Sequence, residues 1–503
     1  MPLKAAELFS YLIGLSVFSN VALIGFAQEL PQSAPTDLAS PVTETGLGNA
    51  DDSQIAMERT EPDILPAPKR LWQQSRNREI WDGPGLLDQV IQADALERNH
   101  VHKGTIGGKP TKHWWEKISI GGYTQVRYGK TLEEGPGAPP QLLGDRGIGA
   151  TEGFTMRRAR LKIQGDVAPH LGIYLQPDFA VTPPGSTDST FFAQARDWYG
   201  DIYVDPDKVH RFRVGQSKLP YGFENMQSSQ NRAPLDRSDP INSGVSPNER
   251  DLGVFYYWTP EDKQELFHDL QNARYKGSGN FGILGLGVFN GQGGSLLDAN
   301  NVPHVVARLT MPFEVGDKHV CEVSVHGFCG NLVVQGTEIR ALGQGPAIIP
   351  IGTSGNGGSG GIWEKHLGTT FVWYPTNLGL QSEWNVGETP ALNNAQTEVI
   401  SRPFYGGYVM ALYAIETAEH GLFFPYTRWS QYQGGYSTQK NAPYGNSSEL
   451  AAGIEWQTFK ELEFTIEFDL VDRVNTSAVN KEGKVSYQNF DGSLLRLQCQ
   501  FNY

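Results

Sequence analysis

The chain is poor in cysteine, with Cys321, Cys329 and Cys499 among 503 residues. Cys321 and Cys329 share one strand-like run, where a rise of about 3.3 Å per residue would separate them by about 26 Å. A disulfide requires Cα atoms within about 7 Å, and no Cys-x-x-Cys spacing of a metal site occurs. We therefore expect the cysteines to be unpaired and to serve as small apolar side chains. The sequence predicts neither a metal site nor a cofactor.

Charged residues and long apolar runs are also scarce. Charged residues make up 19% of the chain and apolar residues 39%, whereas a bundle of membrane helices would need several apolar runs of about 20 residues. The net charge of −14 argues against a nucleic-acid partner, because phosphate binding needs a positive field. These absences exclude a helical membrane protein and disfavour a nucleic-acid-binding protein.

The N-terminus carries the longest apolar run. Lys4 precedes apolar residues from Leu8 to Ala27, and Gly25 and Ala27 place small residues at the −3 and −1 positions of a cleavage site. This pattern predicts a secretory signal peptide at residues 1–27. The alternative is a retained anchor, since the run is near the lower length limit for spanning a membrane.

Residues 28–115 differ in composition from the rest of the chain. They are rich in Pro, Ser, Thr, Asp and Glu and cannot bury a core, which predicts a disordered periplasmic segment. A short amphipathic patch at residues 85–98 is compatible with a transient helix in this tether or with a docking helix between subunits.

Residues 116–503 contain alternating runs separated by Gly, Pro, Asn and Asp clusters. In the run 461–470, ELEFTIEFDL, apolar residues share one parity and mostly acidic residues the other. This alternation predicts strands with one apolar and one polar face. A secreted sandwich would bury the apolar face, whereas a membrane barrel turns it to lipid and the polar face to a water-filled lumen. Runs of about ten residues fit lipid-spanning strands better than sandwich strands.

Sixteen such runs begin near residues 118, 154, 171, 192, 210, 251, 280, 303, 319, 366, 376, 403, 422, 449, 461 and 494. About sixteen strands leave an aqueous channel, and an even number places both ends of the barrel-forming chain on the periplasmic side. The last run ends on Tyr503, which resembles the signal that outer-membrane barrels present to their insertion machinery. The sequence predicts an all-β, transmembrane antiparallel β-barrel of about 16 strands, surrounded by outer-membrane lipid.

The longest stretches without alternation are predicted to be extracellular or infolded loops. They lie near residues 131–152, 222–250, 331–362 and 474–492. The loop 222–250 has mixed charge, so it could fold inward as a constriction or remain an outer cap.

Several motifs between residues 118 and 258 match the sequence motifs of one protein family. They are ISIGGYTQVRYG (118–129), FTMRRARLKIQGD (154–166) with its tandem arginines, IYLQPDF (173–179), FFAQARDWYGDIYVD (191–205) and RFRVGQSKLPYGFEN (211–225). Together they resemble the phosphate-selective porin O and P family. After residue 260 the likeness is mostly architectural, until the aromatic C-terminus.

The resemblance implies a trimeric sixteen-stranded barrel whose lumen carries arginines and lysines that attract anions. It places Arg157 and Arg158 on the family's paired arginines. The chain departs from the family in the middle, where Arg340 stands alone in a Gly-rich region, and at 461–470, where acidic side chains would face the lumen. Both departures weaken the case for strict phosphate selectivity.

Parity within the tandem-arginine strand places Arg158, Arg160 and Lys162 on one face. A cation facing lipid near mid-membrane costs about 2–4 kcal/mol, so this face must line the lumen. Arg157 has the opposite parity, which a position near the strand end or a distorted register would explain. The candidate pore-lining and anion-binding residues are Arg157, Arg158, Arg160, Lys162, Arg211, Arg213, Arg127, Arg308 and Arg340. An alternative role for each is bracing the wall by pairing with lumenal carboxylates.

The sequence therefore predicts an outer-membrane porin, a passive diffusion channel for small hydrophilic solutes with a preference for phosphate-like anions. The expected partners are small anions, other copies in a homotrimer, lipid and the insertion machinery, with no nucleic acid. A general or sugar-type porin is the first alternative. A barrel hydrolase and a secreted carbohydrate-binding protein are more distant alternatives, and we expect no catalytic residues and no enzyme activity.

Overall fold

The computed structural model describes residues 113–135, 137, 139, 140, 142, 145, 152–181, 192–238, 250–316, 319–334, 360–439, 441–479 and 485–503. The predicted signal peptide, nearly all of the predicted tether, and Arg340 lie outside these residues. None of the helices within them is long and apolar enough to cross a membrane. The three cysteines are all free.

The described chain forms one sheet of eighteen strands. They are β1 (Ser119–Glu134), β2 (Gly153–Ala168), β3 (Leu171–Val181), β4 (Phe192–Tyr203), β5 (His210–Lys218), β6 (Arg250–Trp258), β7 (Leu284–Phe289), β8 (His304–Val315), β9 (His319–Leu332), β10 (Ile362–Trp373), β11 (Leu378–Leu392), β12 (Val399–Tyr413), β13 (Ile415–Thr417), β14 (Gly421–Gly435), β15 (Tyr444–Phe459), β16 (Leu462–Val479), β17 (Val485–Asn489) and β18 (Gly492–Asn502). The helices are a 3-10 helix (Trp114–Lys117), α1 (Phe223–Met226) and α2 (Glu261–Asn272).

The sheet closes on itself as an antiparallel barrel. β1 pairs with β2 on one side and with β18 on the other, where Tyr123 lies opposite Asn502. β13 pairs with β14, and β17 with β16, only over a few residues at the strand ends, while β12–β14 and β16–β18 pair directly. The wall therefore has sixteen strands, which confirms the predicted fold. The alternation located every wall strand, although the runs near 366, 403 and 449 begin several residues late and the run near 280 begins several residues early.

The two faces of the wall have the inverted polarity of a membrane barrel. On β16, Ile466 and Phe468 are 48% and 37% exposed, whereas Glu467 and Asp469 are fully buried. In a soluble sheet the apolar side chains would be the buried ones. The apolar outer face and the charged inner face follow directly from the period-two sequence.

The two ends of the barrel differ in their connections. At the end where β1 begins and β18 ends, called the short-turn end, β2 and β3 are joined by two residues and so are β15 and β16. Longer connections join the strands at the opposite, long-loop end. Residues 259–283, between β6 and β7, are a long exception at the short-turn end and contain α2.

The connection after β5 turns into the barrel. Residues 219–238, called the inner loop, are almost all buried and contain α1. Tyr221 donates to Asn385 at 2.6 Å, and the Phe223 amide donates to Glu383 at 2.8 Å. Residues 222–238 thus fold inward and do not form an outer cap, while residues 239–249 of the predicted loop lie outside the described residues.

A charge on the outer face should oppose insertion. We expect Ile466→Arg to destabilise the inserted barrel by about 2–4 kcal/mol, because the side chain meets hydrocarbon near mid-membrane. Asp472→Arg, on the same face of β16 but nearer the long-loop end, should change stability by about 1 kcal/mol or less. Denaturant-dependent folding into lipid vesicles measures both, and equal costs would show that the outer face is wrongly assigned.

Candidate functional site

The Asp236 carboxylate of the inner loop is shared by four arginines. Arg157 donates to it at 2.9 Å and Arg158 at 3.2 Å. Arg127 and Arg496 also donate to it, the latter at 3.1 Å. Burial alone would raise the pKa of this carboxyl, but the surrounding arginines hold it well below its usual range. Asp236 therefore stays ionised and fixes the inner loop to the cationic wall.

Asp145, from the β1–β2 connection, adds a second carboxylate to this cluster. It accepts from Arg127 at 2.5 Å and from Arg496 at 3.2 Å. Burial opposes its ionisation, yet Arg127 in particular lowers the pKa of Asp145 below its ordinary value. Two loops from the long-loop end thus deliver the anions that balance the arginine cluster.

Arg157 lies inside the barrel because β2 contains a bulge. Gln125 pairs with Arg158, whereas the next residue, Val126, pairs with Met156, so Arg157 is an extra residue in the ladder. Two residues then oppose one across the strands, which resets the alternation. The side chain of Arg157 is 20% exposed and reaches Asp236. The parity that pointed Arg157 outward fails here for this reason.

The next cations of β2 face inward as their parity predicts. Arg158 donates to Gln125 at 2.6 Å as well as to Asp236. Arg160 is held by Asp178 at 2.7 Å and by the Tyr123 hydroxyl at 2.7 Å. Lys162 is half-buried and donates to Gln230 of the inner loop at 3.0 Å.

The remaining predicted cations are paired with carboxylates on neighbouring strands. Arg213 makes two bonds to Asp201, at 2.8 and 2.9 Å, and stacks on Tyr199 at 3.7 Å. Arg211 lies 3.6 Å from the same carboxylate. Arg308 donates to Glu322 at 2.6 Å. Such pairing is the arrangement that the alternative role, bracing of the wall, would require.

Two carboxylates of the acidic strand β16 are paired with Arg496. Arg496 of β18 donates to Asp469 at 2.8 and 2.9 Å and contacts Glu467. Glu467 additionally accepts from the Tyr426 hydroxyl at 2.5 Å and from the Leu235 amide at 3.2 Å. Glu467 and Asp469 are therefore tied into the same network as the arginines, whereas Glu463 accepts from the Gln500 and Asn502 side chains at 3.0 and 2.8 Å.

Three buried arginines outside the predicted set complete the network. Arg428 of β14 donates to Glu224 and Glu449, both at 3.1 Å, and Arg250 pairs with Asp197 at 2.9 Å. Arg496 shares the inward parity of the last strand, and Arg428 that of β14, so their positions could be read from alternation. Their importance depends on inner-loop partners that no local pattern reveals.

Arg232 of the inner loop stands apart from these pairs. It is 5% exposed, and among the described residues none of its three guanidinium nitrogens has a hydrogen-bond partner. Burial lowers the pKa of Arg232 to about 10, partly offset by Glu224 and Asp236 nearby. The guanidinium is thus charged at neutral pH and retains its capacity to donate.

Removing the shared carboxylate should loosen the cluster. We expect Asp236→Asn to cost about 3–5 kcal/mol, because it leaves buried arginines without their common partner. Since the pKa of Asp236 is lowered, its contribution is fully present above about pH 3.9 and is lost only as the pH falls through the lowered value. Urea denaturation of the detergent-solubilised barrel at pH 7 and pH 5 should show the same deficit at both.

The control for this change is Glu388→Gln. Glu388 pairs with Lys365 at 3.1 Å, with side chains 41% and 55% exposed, and an exposed pair contributes about 1 kcal/mol at most. A deficit for Asp236→Asn no larger than that of Glu388→Gln would contradict the assignment of Asp236 as the organising carboxylate.

Comparison with known proteins identifies one family and several similar solved structures. The model of the family described as phosphate-selective porin O and P matches residues 141–503. A search of curated proteins returned no match. Similar solved structures include the outer membrane channel DcaP of Acinetobacter baumannii, with 11% identity, a TM-score of 0.44, and coverage of 77% of this chain and 97% of that chain.

Two further solved structures are similar at the same level. OprB of Pseudomonas putida shows 9% identity and a TM-score of 0.44, with coverage of 79% of this chain and 97% of that chain. The anion-selective porin from Comamonas acidovorans shows 9% identity and a TM-score of 0.39, covering 77% and 99%. The family match spans most of the chain, including nearly the whole barrel, so the protein belongs to the phosphate-selective porin O and P family of outer-membrane porins.

Proposed function

We propose that this porin is a passive diffusion channel with a preference for small, phosphate-like anions. The observation that carries the proposal is Arg232, a buried guanidinium on the infolded loop without a hydrogen-bond partner among the described residues. Leaving a buried donor unsatisfied is costly, and an anion passing the constriction would satisfy it. The planar fork of arginine matches two oxygens of a phosphate or carboxylate at once.

The surroundings of Arg232 favour a transient anion. Arg157 and Glu224 both act on it electrostatically, and Arg232 in turn depresses the pKa of Arg237, whose own burial lowers it most. The cationic excess is moderated by Glu224 and Asp236. An anion would therefore be attracted without being trapped, which conduction requires.

Arg157 and Lys162 would extend this site along the wall. Both are only partly buried and both contact the inner loop, Arg157 through Asp236 and Lys162 through Gln230. Arg160, Arg213 and Arg308, which are each paired with a carboxylate, would contribute field and rigidity more than direct contact. The solute would exchange its hydration shell for donors on the loop and on β2 in succession.

We further propose that the protein forms a homotrimer in outer-membrane lipid, with the short-turn end in the periplasm. The apolar outer face supports the lipid contact, and the family resemblance supports the trimer. Export through the N-terminal signal peptide and recognition of the strand that ends at Tyr503 by the insertion machinery complete this proposal.

A general porin without ion preference is the second candidate. It is favoured by the extent of internal pairing, since Arg127, Arg160 and Arg213 are each held by a carboxylate within 2.8 Å. If such pairs neutralised the whole lumen, solutes would be sorted by size alone. The two candidates differ in the reversal potential under a salt gradient: it is anion-directed for the first and close to zero for the second.

The test is a planar bilayer recording under a salt gradient. We expect an anion-directed reversal potential for the wild type and a block of chloride current by added phosphate. Arg232→Gln should move the potential toward the cation side and weaken the block, because it removes the available donor at the constriction.

Lys365→Gln serves as the matched control, since it removes the same charge from the outer face, where the side chain is 55% exposed. A cation-directed potential in the wild type, or equal shifts for the two variants, would rule out the proposed anion site.

A further inference from the structure

Residues 259–283, called the crossing segment, traverse the barrel at the short-turn end. They leave β6 and return to β7, although two residues suffice for the turns between β2 and β3 and between β15 and β16. The segment places α2 near the turn between β4 and β5, where Gln264 donates to the Asp207 carbonyl at 2.9 Å. The crossing segment is therefore much longer than a connection between neighbouring strands requires.

The middle of the crossing segment is anchored on the far wall. Lys276 donates to Glu455 of β15 at 2.5 Å, and each side chain is 1% exposed. Arg274 donates to Gln457 of the same strand at 2.8 Å. β15 lies eight strands from β6 in either direction around the sixteen-strand wall. The segment thus spans the full width of the barrel.

The two anchoring residues have an unusual backbone conformation. Arg274 and Lys276 both adopt positive φ angles, of 58° and 64°, which non-glycine residues adopt only at a cost. The Lys276 ammonium also lies 4.5 Å from the centre of the Phe424 ring, a favourable cation–π arrangement. On the near side, Leu266, Phe267 and Leu270 of α2 are buried, so the segment is held at both ends.

The crossing segment also contacts the inner loop, on the side of the loop that faces the short-turn end. The Gln227 side chain donates to the Lys276 carbonyl at 2.6 Å, and the Asn231 side chain donates to the Gly277 carbonyl at 3.0 Å. Asn231 immediately precedes Arg232 in the inner loop. Two elements that enter from opposite ends therefore meet inside the barrel.

We propose that the crossing segment is a second constriction of the channel, latched across the short-turn mouth by the Lys276–Glu455 ion pair. A solute that has passed the inner loop must then pass this bridge to leave the barrel. The contacts with Gln227 and Asn231 let the same bridge set the position of the inner loop. The proposal rests on the channel function of the family but is independent of the anion preference.

The ion pair is suited to act as a latch because it is buried and nearly isolated from solvent. Breaking a buried pair by removing one partner is strongly unfavourable, and Glu455 without Lys276 would face Glu463, whose carboxylate is close enough to interact with it. Loss of the lysine should therefore release the middle of the segment from β15. Release would widen the mouth without altering the wall.

Single-channel recording of the full-length protein tests the latch. We expect Lys276→Met to raise the conductance about twofold or more, since ion flow follows the open cross-section of the narrowest points. The double variant Lys276→Glu with Glu455→Lys restores an ion pair at the same place and should return the conductance to the wild-type value. Lys365→Met, on the outer face, should leave it unchanged.

The swapped pair separates a latch from general misfolding, because a barrel damaged at this site would not regain wild-type conductance. A wild-type conductance for Lys276→Met, or an increase that the swapped pair does not reverse, would overturn the proposal. The reversal potential in the same recordings reports the ion preference separately. A cation-directed potential combined with a reversible rise in conductance would reject the anion preference and retain the latch.

Discussion

The exclusion of charge from hydrocarbon is the constraint on which this structure depends. Within the hydrocarbon layer a strand must turn its ionisable residues to the inner side, so the barrel interior receives them at high density. Charges confined in this way must balance one another or leave the structure unstable. The network around Asp236, in which Arg127, Arg157, Arg158 and Arg496 share one carboxylate, is the result of that confinement.

Alternation in the sequence was sufficient to predict the wall. On β16 and β18 the period-two pattern assigned each side chain to the correct face, because a closed sheet between lipid and lumen tolerates no other register. Strand boundaries were less accurate at β7, and at β10, β12 and β15, where pairing begins several residues before the predicted runs. At the start of β12 the inner face is apolar, because Val399 packs with Ile362 and Leu392 in a buried cluster, so an apolar outer face and a polar inner face no longer mark the strand.

The inner-facing cations were predictable as a set, but their partners were not. The carboxylates of Asp236, Asp145 and Glu224 come from connections that carry no periodic pattern, and they reach the arginines only through the folding of those loops. Arg232 is buried without a hydrogen-bond partner among the described residues, and this too depends on how the inner loop folds into the barrel. The path of residues 259–283 across the barrel was not foreseen, because its anchor on β15 is remote in sequence.

The bulge at Arg157 bears on how much charge a strand can present to a lumen. In a regular strand every second residue faces inward, so inward cations on one strand stand about 6.6 Å apart at best. By adding one residue to the ladder, β2 turns two consecutive arginines to the same side. An insertion in a transmembrane strand can thus raise the linear charge density of a pore wall above the ceiling set by the pleat.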